Sequence, residues 1–204
     1  TWKPLQADGG VHELLRYATL AANSHNTQPW TFKIEPSRVI ILADPLRRCP
    51  AVDPDDHHLF VSLGCATENL VQAAAAMGLR ADHVLEAGKI TISLENSRAE
   101  RSALFEAIPF RQSTRAAYDG RSASNDALRL LEQAGSGPGM ELILVTERSR
   151  IEQIAEHVVT GNTAQMSDPA FMEELIAWMR FSEGEATASR DGLFTRASGA
   201  PTMP

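Results

Sequence analysis

Residues 22–30 read Ala-Asn-Ser-His-Asn-Thr-Gln-Pro-Trp and form a short polar corner between a predicted helix and a predicted strand. Asn and Gln side chains each carry hydrogen-bond donors and acceptors, and Ser24 adds a hydroxyl. Pro29 ends the helix and fixes where the chain turns. This composition suits the binding of a flat ligand with polar edges. It is equally typical of a helix end that leads into a core Trp30, because Asn and Pro are common at such ends.

The corner, residues 22–30, resembles the Ser-x-x-Asn-x-Gln-Pro-Trp signature of the nitroreductase superfamily, flavoproteins that hold FMN at a dimer interface. A second segment, residues 108–118, looks like the other FMN-binding element of that superfamily, Arg-x-Ser-x-Arg followed by an aromatic residue. Its matching positions are Arg111, Ser113, Arg115 and Tyr118. In the superfamily this element precedes the Gln-Pro-Trp element, and the two elements that meet on one FMN come from different subunits. In this chain the order is reversed, because the Gln-Pro-Trp segment comes before the Arg-x-Ser-x-Arg segment.

The reversed order predicts two nitroreductase-like repeats in tandem, as in the fused-dimer branch that the chain resembles. Residues 125–134 run parallel to residues 11–20, and both stretches have the periodicity of an amphipathic helix. We therefore expect an α+β, nitroreductase-like fold: a central antiparallel or mixed sheet flanked by helices, with the repeats forming a pseudo-dimer. The first repeat would span residues 1–107. The second would span residues 108–204 and be incomplete, so the natural chain is expected to continue.

The resemblance implies one composite FMN site. Arg111 and Ser113 would hold the phosphate and the ribityl chain, and Arg115 would approach the N1 and C2-carbonyl edge of the ring, where a cation favours the anionic reduced flavin. The corner would supply the contacts to ribityl and ring: Asn23, Ser24, Asn26 and Gln28. Many members of the superfamily have Pro-Ser where this chain has Ala22-Asn23, so either Asn23 or Ser24 would take the role of the signature's serine. No side chain is assigned as catalytic, because the chemistry would occur at flavin N5. Without the resemblance, both arginines would be ordinary solvated charges.

By resemblance, the function is that of an FMN-dependent oxidoreductase that takes electrons from NAD(P)H and passes them to a small nitro, quinone or related acceptor. A protein that binds and sequesters FMN with little turnover is the alternative. A structural partner that has lost flavin is a third reading. Fold-level likeness does not choose among these functions.

Periodicity and capping residues predict the other elements. Asp8 would cap a helix that runs to about Asn23, and Asp53 and Pro54 would start a long helix that Gly78 ends. The small residues of that helix predict that it packs closely against another helix, against the other repeat or against a second copy of the chain. Asn69 of the same helix either packs in this interface or approaches the flavin. His25 is interpreted as a packing or pocket-wall residue. A hairpin is expected at 31–35 and 38–42, and it places Trp30 at the sheet edge. Further strands are expected at 89–94 and 140–145, and further helices at 125–134, 149–166 and 168–181. A loop or lid is expected at 184–204.

Composition argues against several classes of partner. The net charge of -7 and the lack of a Lys/Arg cluster argue against a nucleic-acid partner. No apolar run approaches the ~20 residues of a membrane span, so no membrane segment is expected. The chain begins at Thr1, and we expect that anything upstream has been removed or left out. Twin-arginine export to the periplasm, frequent in the fused branch, and a cytoplasmic location both stay open.

No metal site and no disulfide framework are expected. Cys49 and Cys65 are the two cysteines of the chain, and neither has an obvious partner for nucleophilic catalysis. The run Asp53, Asp55, Asp56, His57 and His58 has the composition of a metal site. However, consecutive histidines on a helix point ~100° apart. Helix capping is the simpler interpretation of the aspartates.

Overall fold

The computed structural model describes residues 4–6, 9–113 and 117–194. They fall into two compact units, one built from residues up to 114 and from 173 onwards, the other from residues 115–172. The first unit contains the sheet and the corner. Its elements up to residue 107 are α1 (Gly10–Ala18), β1 (Trp30–Glu35), β2 (Arg38–Ala43), α2 (His57–Ala76), β3 (Leu79–Glu86), β4 (Lys89–Asn96) and α3 (Ala103–Ala107).

The four strands form one antiparallel sheet in the order β1-β2-β4-β3. The hairpin of β1 and β2 turns at Pro36 and Ser37, with Ile34 opposite Val39. The hairpin of β3 and β4 turns at Ala87 and Gly88, where both φ angles are positive (48° and 73°), as tight hairpin turns require. The expected α+β class with an antiparallel sheet is therefore present, and Trp30 lies in an edge strand as predicted.

The core of this unit lies between α1, α2 and the sheet. Its fully buried side chains come from each of these elements and from α3: Leu14, Ile41, Leu63, Leu70, Ile92 and Phe105. Apolar residues of α2 recur at 59, 63, 66 and 70, which puts them on one face of a helix. Burying these side chains is the main stabilising contribution to this unit.

Three sequence predictions in this unit need correction. The first helix ends at Ala18 rather than Asn23, because the chain turns through Thr19 and enters the corner. Helix α2 begins at His57 rather than Pro54, because Asp56 takes a left-handed conformation (φ 59°). The carboxylate of Asp53 still caps it by accepting the N–H groups of His58 and Leu59 at 3.0 and 2.9 Å. Strand β3 was not predicted, since it is an edge strand with mostly exposed residues and no apolar alternation.

The expectation that no segment is long and apolar enough for a membrane also needs qualification. Among the helices that the structure describes, α2 alone reaches the length and mean hydropathy (1.2) of a candidate span. Half of that window is buried against the fold. A core helix meets the same criteria, so α2 is weak support for a membrane segment.

The 115–172 unit is helical. It contains α4 (Asn125–Gly135) and α5 (Arg148–Met166), both close to their predicted positions. The strand predicted at 140–145 is wrong: only an isolated bridge between Gly137 and Met140 forms there. No residue of α4 or α5 is buried.

The C-terminal part of the chain carries α6 (Pro169–Trp178), β5 (Met179–Arg180), α7 (Glu183–Ser189) and β6 (Leu193–Phe194). Within the described part of the 184–204 segment, the predicted loop is therefore partly wrong. Helix α7 starts at an N-cap serine: the Ser182 hydroxyl accepts the Glu185 N–H at 3.1 Å, and the Glu185 carboxylate accepts the N–H of the preceding Phe181 at 3.0 Å.

Candidate functional site

The corner has an unusual backbone. Residues Ser24–Asn26 form one 3-10 turn, and His25, Asn26 and Gln28 all have positive φ angles (46°, 53° and 52°). Such angles cost roughly 1–3 kcal/mol at a residue other than Gly unless the surroundings hold them, and they are frequent at functional sites. Contacts with the surrounding residues must therefore stabilise these three backbone conformations.

The side chain of Asn23 stabilises the corner through hydrogen bonds to main-chain groups on either side of it. Its Oδ1 accepts the backbone N–H of Gln28 at 2.8 Å, and its Nδ2 donates to the carbonyl of Ala21 at 3.0 Å. Both ends of the amide are therefore used to fix the loop. Ser24 is half-buried beside it. In this geometry Asn23 positions the neighbouring side chains.

The amides of Asn26 and Gln28 hold a distant segment of the chain. Asn26 Nδ2 donates to the carbonyl of Gly192 at 3.2 Å, and the N–H of Gly192 donates back to the Asn26 carbonyl at 3.0 Å. Gln28 Nε2 donates to the carbonyl of Arg190 at 2.7 Å. Two of the four predicted flavin contacts in the corner thus bind main-chain groups of residues 190–192.

A cluster of charged side chains anchors the same segment. Arg47 Nη1 donates to the carbonyl of Thr27 at 2.8 Å and to Asp191 Oδ2 at 3.0 Å. Arg180 Nη2 lies 2.7 Å from Asp191 Oδ1. Burial by itself would raise the pKa of Asp191, but its bonds to Arg180 and Arg47 outweigh burial and lower it, so the carboxylate is ionised at neutral pH.

Arg111, the first arginine of the 108–118 segment (the arginine element), lies next to the end of α1. Arg111 Nη2 donates to the carbonyl of Leu20 at 3.3 Å, three residues before Asn23 in the chain. A short turn over Ile108–Phe110 leads into Arg111, and the buried Phe105 and Ile108 hold that turn in place. Arg111 and Ser113 are both exposed. Arg115 lies outside the described residues.

His25 and Cys49 lie beside the corner. The Cys49 Sγ is 3.7 Å from His25 Nδ1. Burial, with smaller effects of Glu174 and Asp53, raises the pKa of the Cys49 thiol to about 11. Because a thiolate is the reactive form, Cys49 is unsuited to nucleophilic catalysis at neutral pH. His25 contacts this packed thiol, as its interpretation as a packing residue predicts.

The other candidates have structural contacts. Asn69 Nδ2 donates to the carbonyl of Tyr17 at 3.2 Å, so the packing interpretation describes its observed contact. Among the residues that the structure describes, no group of three or more His, Cys, Asp or Glu side chains is arranged to hold a metal ion. A cavity of about 820 Å³ lies between the start of α1 and the ends of the strands, and none of the candidate site residues lines it.

Sequence reasoning missed Arg47, Arg180 and Asp191. Arg47 lies close to the corner in sequence, but the pairing of Asp191 with Arg47 spans 144 positions. No periodicity or motif marks such a contact, so only the fold reveals it.

Comparisons with known proteins support the class of protein that the corner indicates. No family model matches the chain. It is similar to two Mycobacterium tuberculosis proteins, from strains H37Rv and CDC 1551, that both carry the name "Putative NAD(P)H nitroreductase". Each is 27% identical over 176 residues, which cover 82% of this chain and 50% of the relative. The chain thus spans about half the length of the curated relatives it matches.

Proposed function

We propose that this chain binds FMN in the corner and acts as a nitroreductase-type oxidoreductase, with NAD(P)H as electron donor and a small nitro, quinone or related acceptor. The observation that carries the proposal is the bond from Arg111 to the Leu20 carbonyl. It brings the start of the arginine element to the end of α1, from which the corner begins. The relatives' name, which specifies NAD(P)H, supports the choice of donor.

The chemistry of these side chains fits a flavin mononucleotide. Arg111 is an exposed guanidinium, which suits a phosphate because its planar fork donates two parallel hydrogen bonds. Ser113 adds a hydroxyl for the phosphate or ribityl chain, and Asn26 and Gln28 supply amides for the ribityl and the polar ring edge. Arg115 would complete the set at the ring edge. Bound FMN would supply hydride acceptance and later electron release, while the protein supplies position and electrostatics.

The test begins with binding and then asks about turnover. Purified protein is titrated with FMN, and NADH or NADPH is added without oxygen while the flavin absorbance is followed. We expect saturable FMN binding, loss of absorbance with a nicotinamide, and its recovery with a nitroaromatic or quinone. Arg111→Ala should raise the Kd for FMN by about 10- to 100-fold, the range expected for one hydrogen bond to a charged group.

Arg98→Ala is the matched control, because Arg98 is an exposed arginine outside the arginine element. Its FMN affinity should equal that of the wild type. Equal effects of both substitutions would mean that Arg111 contributes only general positive charge. A protein that takes up no FMN would refute the proposed function.

The alternative function is FMN sequestration with little turnover, in which the flavin binds but is shielded from electron donors and acceptors. A sequestering protein would bind FMN, stay oxidised with both nicotinamides and lose its absorbance only with dithionite. The titration above therefore separates the two functions.

We further propose that the composite site lies within one chain, as tandem repeats would require. The amphipathic helices α1 and α4, which lead the two proposed repeats, support this arrangement. The measurable consequence is one FMN per chain in monomeric protein. One FMN per two chains, with binding that requires dimerisation, would instead place the site between copies.

A further inference from the structure

The C-terminal segment 173–194, here called the arm, docks on the corner and on the nearby residues 47–52 through three separate sets of bonds. Glu174 accepts the backbone N–H groups of Ala51 and Val52 at 2.8 and 3.3 Å. The main-chain groups of residues 190–192 bind Asn26 and Gln28 as described. Asp191 joins Arg47 of the sheet region to Arg180 of the arm.

The docked arm occupies the amide donors of the corner that a flavin would need. Asn26 Nδ2 donates to the carbonyl of Gly192 at 3.2 Å, and Gln28 Nε2 donates to the carbonyl of Arg190 at 2.7 Å. A flavin that accepts hydrogen bonds from these two amides must therefore displace residues 190–192.

We infer that the arm is an intramolecular competitor for the flavin site: residues 190–192 occupy the amide donors of the corner, and FMN binds when they leave. This inference rests on the proposed function. A binding-competent state that is only partly populated lowers the apparent affinity by its population. Release of the arm therefore raises the affinity for FMN. By linkage, FMN shifts the arm towards its released state.

Two substitutions release the arm by different means. Asp191→Asn removes the charge that Arg47 holds. Gly192→Ala acts on the backbone, because Gly192 has φ +77° and a Cβ there would lie 2.5 Å from the Trp178 carbonyl oxygen. Glu183→Gln is the matched control, since it removes one exposed carboxylate from the same arm. None of these residues is among the proposed flavin contacts.

The experiment measures amide hydrogen exchange of the arm and FMN affinity on the same full-length samples. Asp191→Asn and Gly192→Ala should each speed exchange over residues 183–194 and lower the Kd for FMN by about tenfold, which corresponds to an arm docked about 90% of the time. Glu183→Gln should change neither quantity. Adding FMN to the wild type should speed exchange over the same residues.

Each other result has a definite meaning. Faster exchange with unchanged or weaker FMN binding would overturn the inference while leaving FMN binding itself established. Unchanged exchange in both variants would show that these contacts do not hold the arm, which also overturns it. Failure of the wild type and every variant to bind FMN would remove the proposed function together with the inference.

Discussion

Helices α2 and α5 have nearly the same length, 20 and 19 residues, but very different surroundings. Nine residues of α2 are buried, whereas none of α5 is. Both have apolar side chains at helical spacing, since α5 carries Ile151, Ile154 and Val158, which are 42%, 48% and 64% exposed. Apolar spacing therefore predicts that a helix forms without specifying what it packs against. In α2 the partners are the sheet and α1.

We expect the largest difference in stability between α2 and α5 when an apolar side chain of each helix is shortened to Ala. Leu70 is fully buried, so Leu70→Ala should lower the free energy of unfolding by about 2–5 kcal/mol. Val158→Ala, at an exposed apolar residue of α5, should change it by less than about 0.5 kcal/mol. Urea unfolding followed by circular dichroism measures both. A loss at Val158 as large as that at Leu70 would mean that α5 is covered in solution.

The starts of the two helices should also differ. The Asp53 carboxylate caps α2, whereas Glu147, at the start of α5, makes no side-chain capping bond. Asn keeps one of the two acceptor oxygens, so Asp53→Asn leaves one of these N–H groups without its charged acceptor and should destabilise the protein by about 1–2 kcal/mol. Glu147→Gln should destabilise it by less than about 0.5 kcal/mol. The same unfolding measurement applies, and equal effects would remove the role assigned to Asp53.

The cap of α2 also predicts a pH dependence. Burial would raise the pKa of Asp53, but the N–H groups of His58 and Leu59 outweigh burial and lower it below the ordinary value. Because the folded-state pKa is depressed, its stabilising contribution is present above the unfolded value of about 3.9 and is lost as the pH falls through the folded value. The stability difference between wild type and Asp53→Asn should therefore shrink below about pH 4. A difference that stays constant from pH 7 to pH 3 would contradict this assignment.

A smaller contrast concerns one asparagine in each helix. Asn69 of α2 donates to the Tyr17 carbonyl, whereas Asn162 of α5 is exposed. Asn69→Ala removes this bond between helices, which costs about 1 kcal/mol, and the gain in helix propensity offsets roughly half of that loss. Asn162→Ala should leave the main unfolding transition unchanged, because α5 has no buried residue. An altered flavin spectrum in Asn69→Ala would instead place this amide near the cofactor.

The sequence predicted the helices and strands that have a strong local signal. The β1–β2 hairpin, α4 and α5 lie close to their predicted positions, because apolar spacing and capping residues mark them. It missed β3, since an exposed edge strand needs no apolar alternation, and it missed the helix that Ser182 caps. In the site, the sequence identified the polar corner. It did not identify the pair of Asp191 and Arg47, because a contact across 144 positions depends on the whole fold.

The smallest expected effect tests whether the two helices unfold together. Gly64 of α2 and Gly161 of α5 are both exposed helical residues, and a Cβ at either would have no other atom within 4 Å. Replacing Gly by Ala inside a helix stabilises it by roughly 0.5–1 kcal/mol. Gly64→Ala should raise the free energy of the main unfolding transition by that amount. Gly161→Ala should leave that transition unchanged, because α5 has no buried residue through which its stability is coupled to the core. Equal gains would mean that α5 unfolds cooperatively with the sheet, and a concentration-dependent loss in Gly64→Ala would mean that a second copy packs closely against α2.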